Sequence, residues 1–109
     1  MAEMSLREVC EKIGVTRRAV QGYEKAKLVK PSSKTASGYL LYDDFARQRI
    51  QQIKLYQDMG FTIKEIKHMI DAPSKTKKIA LTKQKEKLKD NINHQIKMIE
   101  IIEEMLLSL

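Results

Sequence analysis

Seven lysine or arginine residues lie in the stretch 12–34, where Glu24 is the single acid. Three tyrosines, Tyr23, Tyr39 and Tyr42, lie in or just after the same stretch. Lysine and arginine bind phosphate groups, and tyrosine can hydrogen-bond to a sugar–phosphate backbone or pack against it. These residue types at this density predict a surface for an anionic polymer such as nucleic acid.

The overall composition supports this prediction and argues against several other functions. The 109 residues carry a formal net charge of +7, which attracts nucleic acid or an anionic membrane surface. The single cysteine, Cys10, excludes a disulfide or a thiolate-rich metal site within one chain, and we expect it to be a small buried residue. His68 and His94 are too far apart in sequence to suggest a metal pair.

No known catalytic pattern is recognisable in the sequence. A glycine-rich phosphate loop, a carboxylate pair in a pocket and a nucleophile with a base are all missing. The sequence therefore predicts a protein that is not an enzyme and needs no metal and no cofactor. It also lacks a signal peptide and an apolar run of membrane-spanning length, so we expect a cytoplasmic protein with no membrane partner.

The basic stretch is predicted to lie on two short helices joined by a turn. The first helix begins at a capping box between Ser5 and Glu8 and ends at Gly14. Thr16 is a good N-cap for a second helix that runs to about Lys25. Two helices joined this way are typical of a helix-turn-helix, although an ordinary amphipathic helix with a solvated basic face is the alternative. The residues expected to point inward are Leu6, Val9, Cys10, Ile13, Val15, Ala19, Val20 and Tyr23.

The outward face of the second helix would then carry Arg17, Arg18 and Gln21, which are residue types that bond base edges or phosphates in the major groove. A hairpin is expected to follow, with one strand at 28–31 and a second at 39–42, joined by a loop at 32–38. Such a hairpin forms a wing beside the groove. Its predicted phosphate ligands are Lys34, Ser37 and Tyr39.

Two further helices are predicted before a proline. The third runs from about Phe45 to Met59, and the fourth opens with a capping box between Thr62 and Glu65. Their expected inward residues are Phe45, Ile50, Ile53, Tyr56, Met59, Ile63, Ile66, Met69 and Ile70. The expected outward residues of the third helix are Arg47, Arg49 and Lys54.

From about Ser74 the sequence predicts one long helix, so we expect a DNA-binding domain at 4–72 and a dimerisation helix at 74–109. Large apolar residues recur there with a period close to 3.5, which is typical of a coiled coil. Packing of this helix on its own domain is the alternative. The predicted dimerisation residues are Leu88, Ile92, Ile96, Ile99, Ile102, Leu106 and Leu109. A flanking stripe of Met98, Ile101 and Met105 would rest on the partner subunit or bind an apolar ligand.

Several of these motifs together resemble the N-terminal domain of MerR-family transcriptional regulators over about residues 4–70. They are Gly14-Val-Thr-x-Arg18, Tyr23-Glu24, Leu28, Pro31, Gly38-Tyr39, Tyr42, Gly60-Phe61 and Glu65-Ile66. The resemblance implies a winged helix-turn-helix homodimer with an antiparallel coiled coil, which binds a pseudo-palindromic promoter and distorts the DNA. It also makes RNA polymerase a candidate partner. For Arg47, Lys64 and Lys67, the resemblance implies contacts to flanking phosphates, and a solvated surface is the alternative. The small-molecule effector is unknown, because no effector region is recognisable within these 109 residues.

Three positions depart from the pattern that the family usually shows. Gly22 stands where the family has an aromatic residue, and glycine disfavours a helix by about 1 kcal/mol relative to alanine. Gln21 and Leu40 stand where the family has arginines. These departures affect backbone anchoring and target sequence more than the fold.

The sequence thus predicts a mainly helical fold, a winged helix-turn-helix with a long C-terminal coiled-coil helix, and a regulator that binds double-stranded promoter DNA as a homodimer. Two alternatives remain, a DNA-architectural or excisionase-like factor and a coiled-coil protein-interaction module. The predicted DNA-binding residues are Thr16, Arg17, Arg18, Gln21, Tyr23, Lys34, Ser37, Tyr39 and Tyr42.

Overall fold

The computed structural model describes residues 3–109. The chain divides into a first unit that ends at Asp71 and a second unit, Ala72–Leu109. The first unit contains β1 (Met4–Ser5), α1 (Leu6–Ile13), α2 (Arg17–Lys25), β2 (Ser33–Lys34), β3 (Leu40–Tyr42), α3 (Asp44–Asp58) and α4 (Ile63–Met69). The second contains α5 (Ser74–Ser108). The predicted fold class, mainly helical with a small antiparallel wing and a long last helix, is confirmed.

The helix starts are set by the caps that the sequence predicts. Ser5 Oγ accepts from the Glu8 amide at 3.3 Å, and the Ser5 amide donates to Glu8 Oε1 at 3.0 Å. Because the Ser5 amide and then its hydroxyl stabilise the carboxylate, the pKa of Glu8 is lowered. Thr16 Oγ1 accepts from the Ala19 amide at 3.0 Å. Between the two helices, Gly14 has a φ of 80°, a conformation that glycine adopts without strain.

The core of the first unit lies between α1, α2, β3, α3 and α4. Its fully buried side chains include Val9, Val20, Tyr42, Ile50, Ile53 and Ile66. The prediction was wrong for Phe45, which is 76% exposed, while Ala46 is buried. Since α3 turns its 46–50–53 face inward at spacings of four and three, the residue at 45 points away from the core.

Two arginines predicted to point outward are held within the first unit. The Arg49 guanidinium forms a bidentate pair with the Asp71 carboxylate at 2.6 and 2.7 Å, and its Nε donates to the Leu28 carbonyl at 2.8 Å. Arg47 donates to the Tyr42 carbonyl at 2.7 Å and pairs with Asp44. These contacts connect α3 to β3 and to the segments that follow α2 and α4.

The wing differs from the predicted hairpin at its first strand. Residues 28–31 are not a strand; instead Lys27, with a φ of 63°, and Leu28 close the end of α2. The Lys27 amide donates to the Glu24 carbonyl at 2.9 Å and the Leu28 amide to the Tyr23 carbonyl at 3.0 Å, the pattern of a Schellman motif. The apolar pattern at Leu28 therefore marks a helix cap with a buried leucine, and not a strand.

The sheet has three short strands in the order β1-β3-β2, all antiparallel. In the predicted loop, Ser33 pairs with Leu41 and Lys34 with Leu40. On the other edge of β3, Met4 pairs with Tyr42. The two-residue β1 was not predicted, because two residues carry no alternating pattern that a sequence analysis can recognise.

α5 begins directly after Pro73 and runs for 35 residues. The predicted long helix is confirmed, and each of its residues is exposed or partly exposed. Its side chains have no core of their own to enter. None of the helices within residues 3–109 has the combination of length and apolar character needed to cross a lipid bilayer.

Candidate nucleic-acid interface

The second helix of the helix-turn-helix separates a buried face from a basic face. Val20 and Tyr23 are buried, whereas Arg17, Arg18 and Gln21 are exposed on the opposite side. All three exposed residues lie in the first two turns of α2. The arrangement therefore presents two guanidinium groups and one amide together, and these groups hydrogen-bond to guanine, adenine and phosphate.

Thr16 caps the N-terminus of α2, and its predicted DNA contact has to be compatible with this role. Its Oγ1 accepts from the Ala19 amide as the N-cap of α2. A hydroxyl has one donor and two acceptor sites, so capping leaves the Thr16 proton able to bond a phosphate oxygen. The side chain is exposed, which makes both roles compatible.

A tight turn closes the wing and exposes its predicted phosphate ligands. The Gly38 amide donates to the Thr35 carbonyl at 2.9 Å, and the Tyr39 amide donates to Thr35 Oγ1 at 3.0 Å. Gly38 has a φ of 91°, which side chains other than glycine rarely adopt. Lys34 and Ser37 are exposed, and Tyr39 is 71% exposed. The three residues therefore stand on the surface of one short hairpin.

Tyr23 and Tyr42 are buried in the core, as predicted for Tyr23. The Tyr23 hydroxyl donates to Gln57 Oε1 at 2.6 Å, and the Tyr42 hydroxyl donates to the Glu24 carboxylate. Burial raises the pKa of both phenols, and the negative charges of Asp58 and Glu24 act in the same direction on Tyr23 and Tyr42 respectively. Both hydroxyls are therefore engaged inside the fold.

These two hydrogen bonds join the elements that carry the exposed residues. The Tyr23–Gln57 bond connects α2 to α3, and the Tyr42–Glu24 bond connects the wing strand β3 to α2. At the base of the wing, the Ser32 hydroxyl accepts from the Asp43 amide at 2.8 Å. The loop predicted at 32–38 carries no signal of this contact, since the partner backbone group is eleven residues further along the chain.

The sequence analysis also missed Arg7. The structure places it in α1, where it lines a cleft of about 430 Å³ together with Arg17, Gly38, Tyr39 and Leu40. The sequence does place Arg7 on the outward side of the first helix, but Arg7 precedes the basic stretch 12–34 from which the interface was predicted. Of the three residues considered for flanking phosphates, Lys64 and Lys67 are exposed, whereas Arg47 is engaged as described above.

The described part of the chain offers little to a metal ion. Within residues 3–109, no three histidine, cysteine, aspartate or glutamate side chains come together as a ligand set. Cys10 is a free thiol, and it is only half-buried where a fully buried position was expected.

Two short helices joined by a glycine turn, followed by a β-hairpin beside an exposed basic helix face, define a winged helix-turn-helix domain. Residues 4–73 match the family described as MerR HTH family regulatory protein, and residues 47–109 match the one described as MerR, DNA binding. The chain belongs to the MerR family.

Curated relatives support the same assignment. The chain is 39% identical over 103 residues to the HTH-type transcriptional activator mta of Bacillus subtilis, covering 94% of this chain and 40% of that protein. It is 31% identical over 100 residues to the transcriptional activator TipA of Streptomyces coelicolor, covering 92% of this chain and 40% of TipA. The chain therefore spans about two fifths of the length of these relatives.

Solved structures show the same architecture. The crystal structure of MtaN, the N-terminus of the Bacillus subtilis multidrug transporter activator, has a TM-score of 0.76 at 38% identity and covers 95% of this chain and 98% of that one. A MerR-family regulator from Bacillus cereus has a TM-score of 0.82 at 28% identity, covering 95% of this chain and 80% of that one. HiNmlR, a MerR-family regulator lacking the sensor domain and bound to promoter DNA, has a TM-score of 0.68 at 19% identity, covering 96% and 88%. At that identity, HiNmlR supports the fold alone.

Proposed function

We propose that this chain is the DNA-binding and dimerisation part of a transcriptional regulator, which binds a specific duplex sequence in a promoter as a homodimer and distorts the DNA there. The observation that carries the proposal is the exposed face of α2, where Arg17, Arg18 and Gln21 stand together beside a basic wing. Membership of the MerR family and the relatives named as transcriptional activators support it. RNA polymerase is the partner through which we expect a promoter-bound regulator to act.

The exposed residues divide into two proposed roles. Arg17, Arg18 and Gln21 would bond base edges in the major groove and set the preferred sequence. Lys34, Ser37 and Tyr39, on the wing, would bond backbone phosphates and fix the register of the protein on the duplex without reading sequence. Tyr23 and Tyr42 would hold the two groups in place.

The homodimer is proposed to form through α5. Its seven predicted dimerisation side chains are exposed, from 42% at Leu88 to 98% at Leu109. Burying one large apolar side chain contributes about 1.5–3 kcal/mol, so a stripe of seven is a strong drive to associate. A second copy of the same helix is the partner that this stripe fits, because both copies supply the same spacing.

The charges on α5 favour an antiparallel pair. The stretch 74–89 carries seven lysines against Glu86, whereas the stretch 90–109 carries Lys97 against four acids. Two helices in opposite directions would place each basic half beside an acidic half, while parallel helices would place like charges together. The four acids are Asp90, Glu100, Glu103 and Glu104.

A polar residue within the stripe would fix the register of the pair, although it would meet its own copy in a parallel dimer too. Strict heptad spacing from Leu88 and Ile92 continues to Gln95 and then to Ile99. An antiparallel pair that overlaps from residue 81 to residue 109 would bring Gln95 of each subunit to the twofold axis. There the two amides would hydrogen-bond to each other, and a single polar pair in an apolar seam specifies register.

Selection of duplex DNA from a random library, followed by binding measurements over a salt series, tests the DNA-binding proposal. We expect a subset of sequences to bind far more tightly than the pool and to keep that preference at physiological salt. The selected half-site spacing would report the geometry of the dimer. Weak, uniform affinity that modest salt abolishes would contradict the proposal and indicate a purely electrostatic surface.

Disulfide cross-linking tests the direction of the helices. In a Cys10→Ala background, Gln95→Cys should cross-link to itself in an antiparallel dimer, whereas Leu88→Cys should cross-link only to a subunit that carries Ile102→Cys. In a parallel dimer every position faces its own copy. Efficient self-linking of the Leu88→Cys variant would therefore overturn the antiparallel arrangement.

A further inference from the structure

A cleft of about 430 Å³ is formed where three elements of the first unit meet. Its walls are the first turn of α1, the start of α2 and the tip of the wing. Two arginines from different helices, Arg7 and Arg17, line it together with Tyr39. The remaining lining residues are Ser5, Leu6, Gly38 and Leu40. Cationic and phenolic donors therefore converge on one concave space that also has an apolar wall.

The charge in this cleft is not neutralised by its walls. The lining residues include two guanidinium groups and no carboxylate. Arg7 Nε lies 3.4 Å from Glu11 Oε1, but both side chains are largely exposed, at 83% and 70%, so this ion pair is weak and easily exchanged. An anion in the cleft would therefore have to displace only the weak Glu11 contact to bind Arg7.

We propose that this cleft binds one phosphate group of the DNA backbone, with Arg7 and Arg17 as charged donors and the Tyr39 hydroxyl as the third donor. A planar guanidinium bonds two phosphate oxygens at once, and phenol donates to phosphate oxygens. The inference rests on the proposed DNA-binding function. It adds Arg7 to the interface and gives Arg17 a backbone role besides or instead of base reading.

Such a phosphate would fix the protein on the duplex. It would be held from α1, α2 and the wing simultaneously, so the recognition face of α2 could enter the groove at only one depth and angle. Leu40 would form the apolar side of this pocket, and the positive charge would come from the helices.

Binding of the full chain to the duplex recovered by selection, over a salt series, tests the assignment. Arg7→Gln should lower affinity about tenfold and reduce the salt slope by about one. Lys12→Gln is the matched control, because Lys12 is an exposed cation on the same helix that does not line the cleft. We expect its effect to be under about twofold. Equal small losses from both variants would mean that Arg7 contributes only long-range charge, which would overturn the proposal.

Neutral methylphosphonate groups placed one at a time along the duplex would identify the phosphate. At one position per half-site, a methylphosphonate should lower the affinity of the wild-type chain but not that of Arg7→Gln. The variant already lacks the phosphate contact that the substitution removes. If Arg7→Gln keeps the full wild-type sensitivity at every position, the cleft holds no phosphate.

A double-mutant cycle with Glu11 provides an independent measurement. Glu11→Gln releases Arg7 from its competing acceptor and should raise affinity about twofold in the wild-type background but less in the Arg7→Gln background. An equal gain in both backgrounds would contradict the assignment. If the wild-type chain binds no duplex at all, the proposed function itself fails, which is distinct from normal wild-type binding with an unaffected Arg7 variant.

Discussion

Ile53 in α3 is fully buried, whereas Ile99 in α5, with the same side chain in the same kind of helix, is 56% exposed. In the first unit, apolar residues from five elements meet, and within residues 3–71 no buried side-chain polar atom lacks a hydrogen-bond partner. In α5 an equally apolar stripe meets nothing within its own unit. The first unit therefore buries its apolar side chains among its own elements, while the apolar stripe of α5 stays exposed.

The largest effect is expected from a substitution in the exposed apolar stripe of α5. Ile99→Asp should weaken the proposed dimer by more than about a hundredfold, because each subunit loses an apolar side chain worth about 1.5–3 kcal/mol and gains a charge in the seam. Sedimentation equilibrium would measure the change. Lys97→Asp places the same residue two positions away, on the opposite side of the helix, and should leave the dimer nearly intact. Equal dissociation in both variants would show that the stripe is not the interface.

The second prediction concerns the core of the first unit. Ile53→Ala should lower the free energy of unfolding by about 2–5 kcal/mol, since it removes a fully buried side chain and leaves a cavity. Chemical denaturation monitored by circular dichroism would measure it. Ile79→Ala, at a 52% exposed position of α5, is the control and should cost under about 1 kcal/mol. A smaller loss for Ile53 than for Ile79 would contradict the contrast between the two units.

The two units also differ in how well the sequence predicts them. The period of α5 and the caps at Ser5, Thr16 and Thr62 are local patterns, and the structure contains each of them. The inward orientation predicted for Phe45 was wrong, because only the packing of α3 decides whether Phe45 or its neighbour Ala46 faces the core. At Leu28, apolar character indicated a strand, but the residue closes a helix through a left-handed Lys27.

The candidate interface shows the same limit. Arg17, Arg18 and Gln21 were found because their spacing places them on one helix face, and the structure leaves them exposed. Tyr23 was expected to point inward, and the structure buries it, whereas nothing in the sequence indicated that Tyr42 is buried as well. Their hydrogen-bond partners, Gln57 and Glu24, are 34 and 18 residues away, and sequence alone does not show such pairs.

The third prediction tests the buried tyrosine that joins the wing to α2. Tyr42→Phe removes the hydroxyl bonded to Glu24 and should lower the free energy of unfolding by about 1–2 kcal/mol. The wild-type pKa of Tyr42 is raised by burial and by Glu24, so the folded state keeps this proton longer than the unfolded state does. The stabilisation that the protonated Tyr42 phenol contributes is complete below about pH 10 and declines as the pH rises further.

Denaturation at a series of pH values would measure this dependence. The wild-type chain should lose more stability above about pH 10 than the Tyr42→Phe variant, because the variant has no phenol to deprotonate there. The difference between the two curves is the relevant quantity, because the two proteins differ only at this phenol. Parallel curves would contradict a raised pKa at this position.

The smallest effect is expected at two glycines, Gly14 and Gly22, where an added Cβ has equal room but the backbone conformations differ. A Cβ added at Gly22 or at Gly14 would meet no atom within 4 Å, yet Gly22 lies in a regular helix and Gly14 has a φ of 80°. Gly22→Ala should therefore raise the free energy of unfolding by about 1 kcal/mol through helix propensity. Gly14→Ala should lower it by about 1–2 kcal/mol through backbone strain. Thermal and chemical denaturation of both variants would measure the opposite signs, and a loss at Gly22 would mean that the exposed face of α2 is more constrained than its open surroundings indicate.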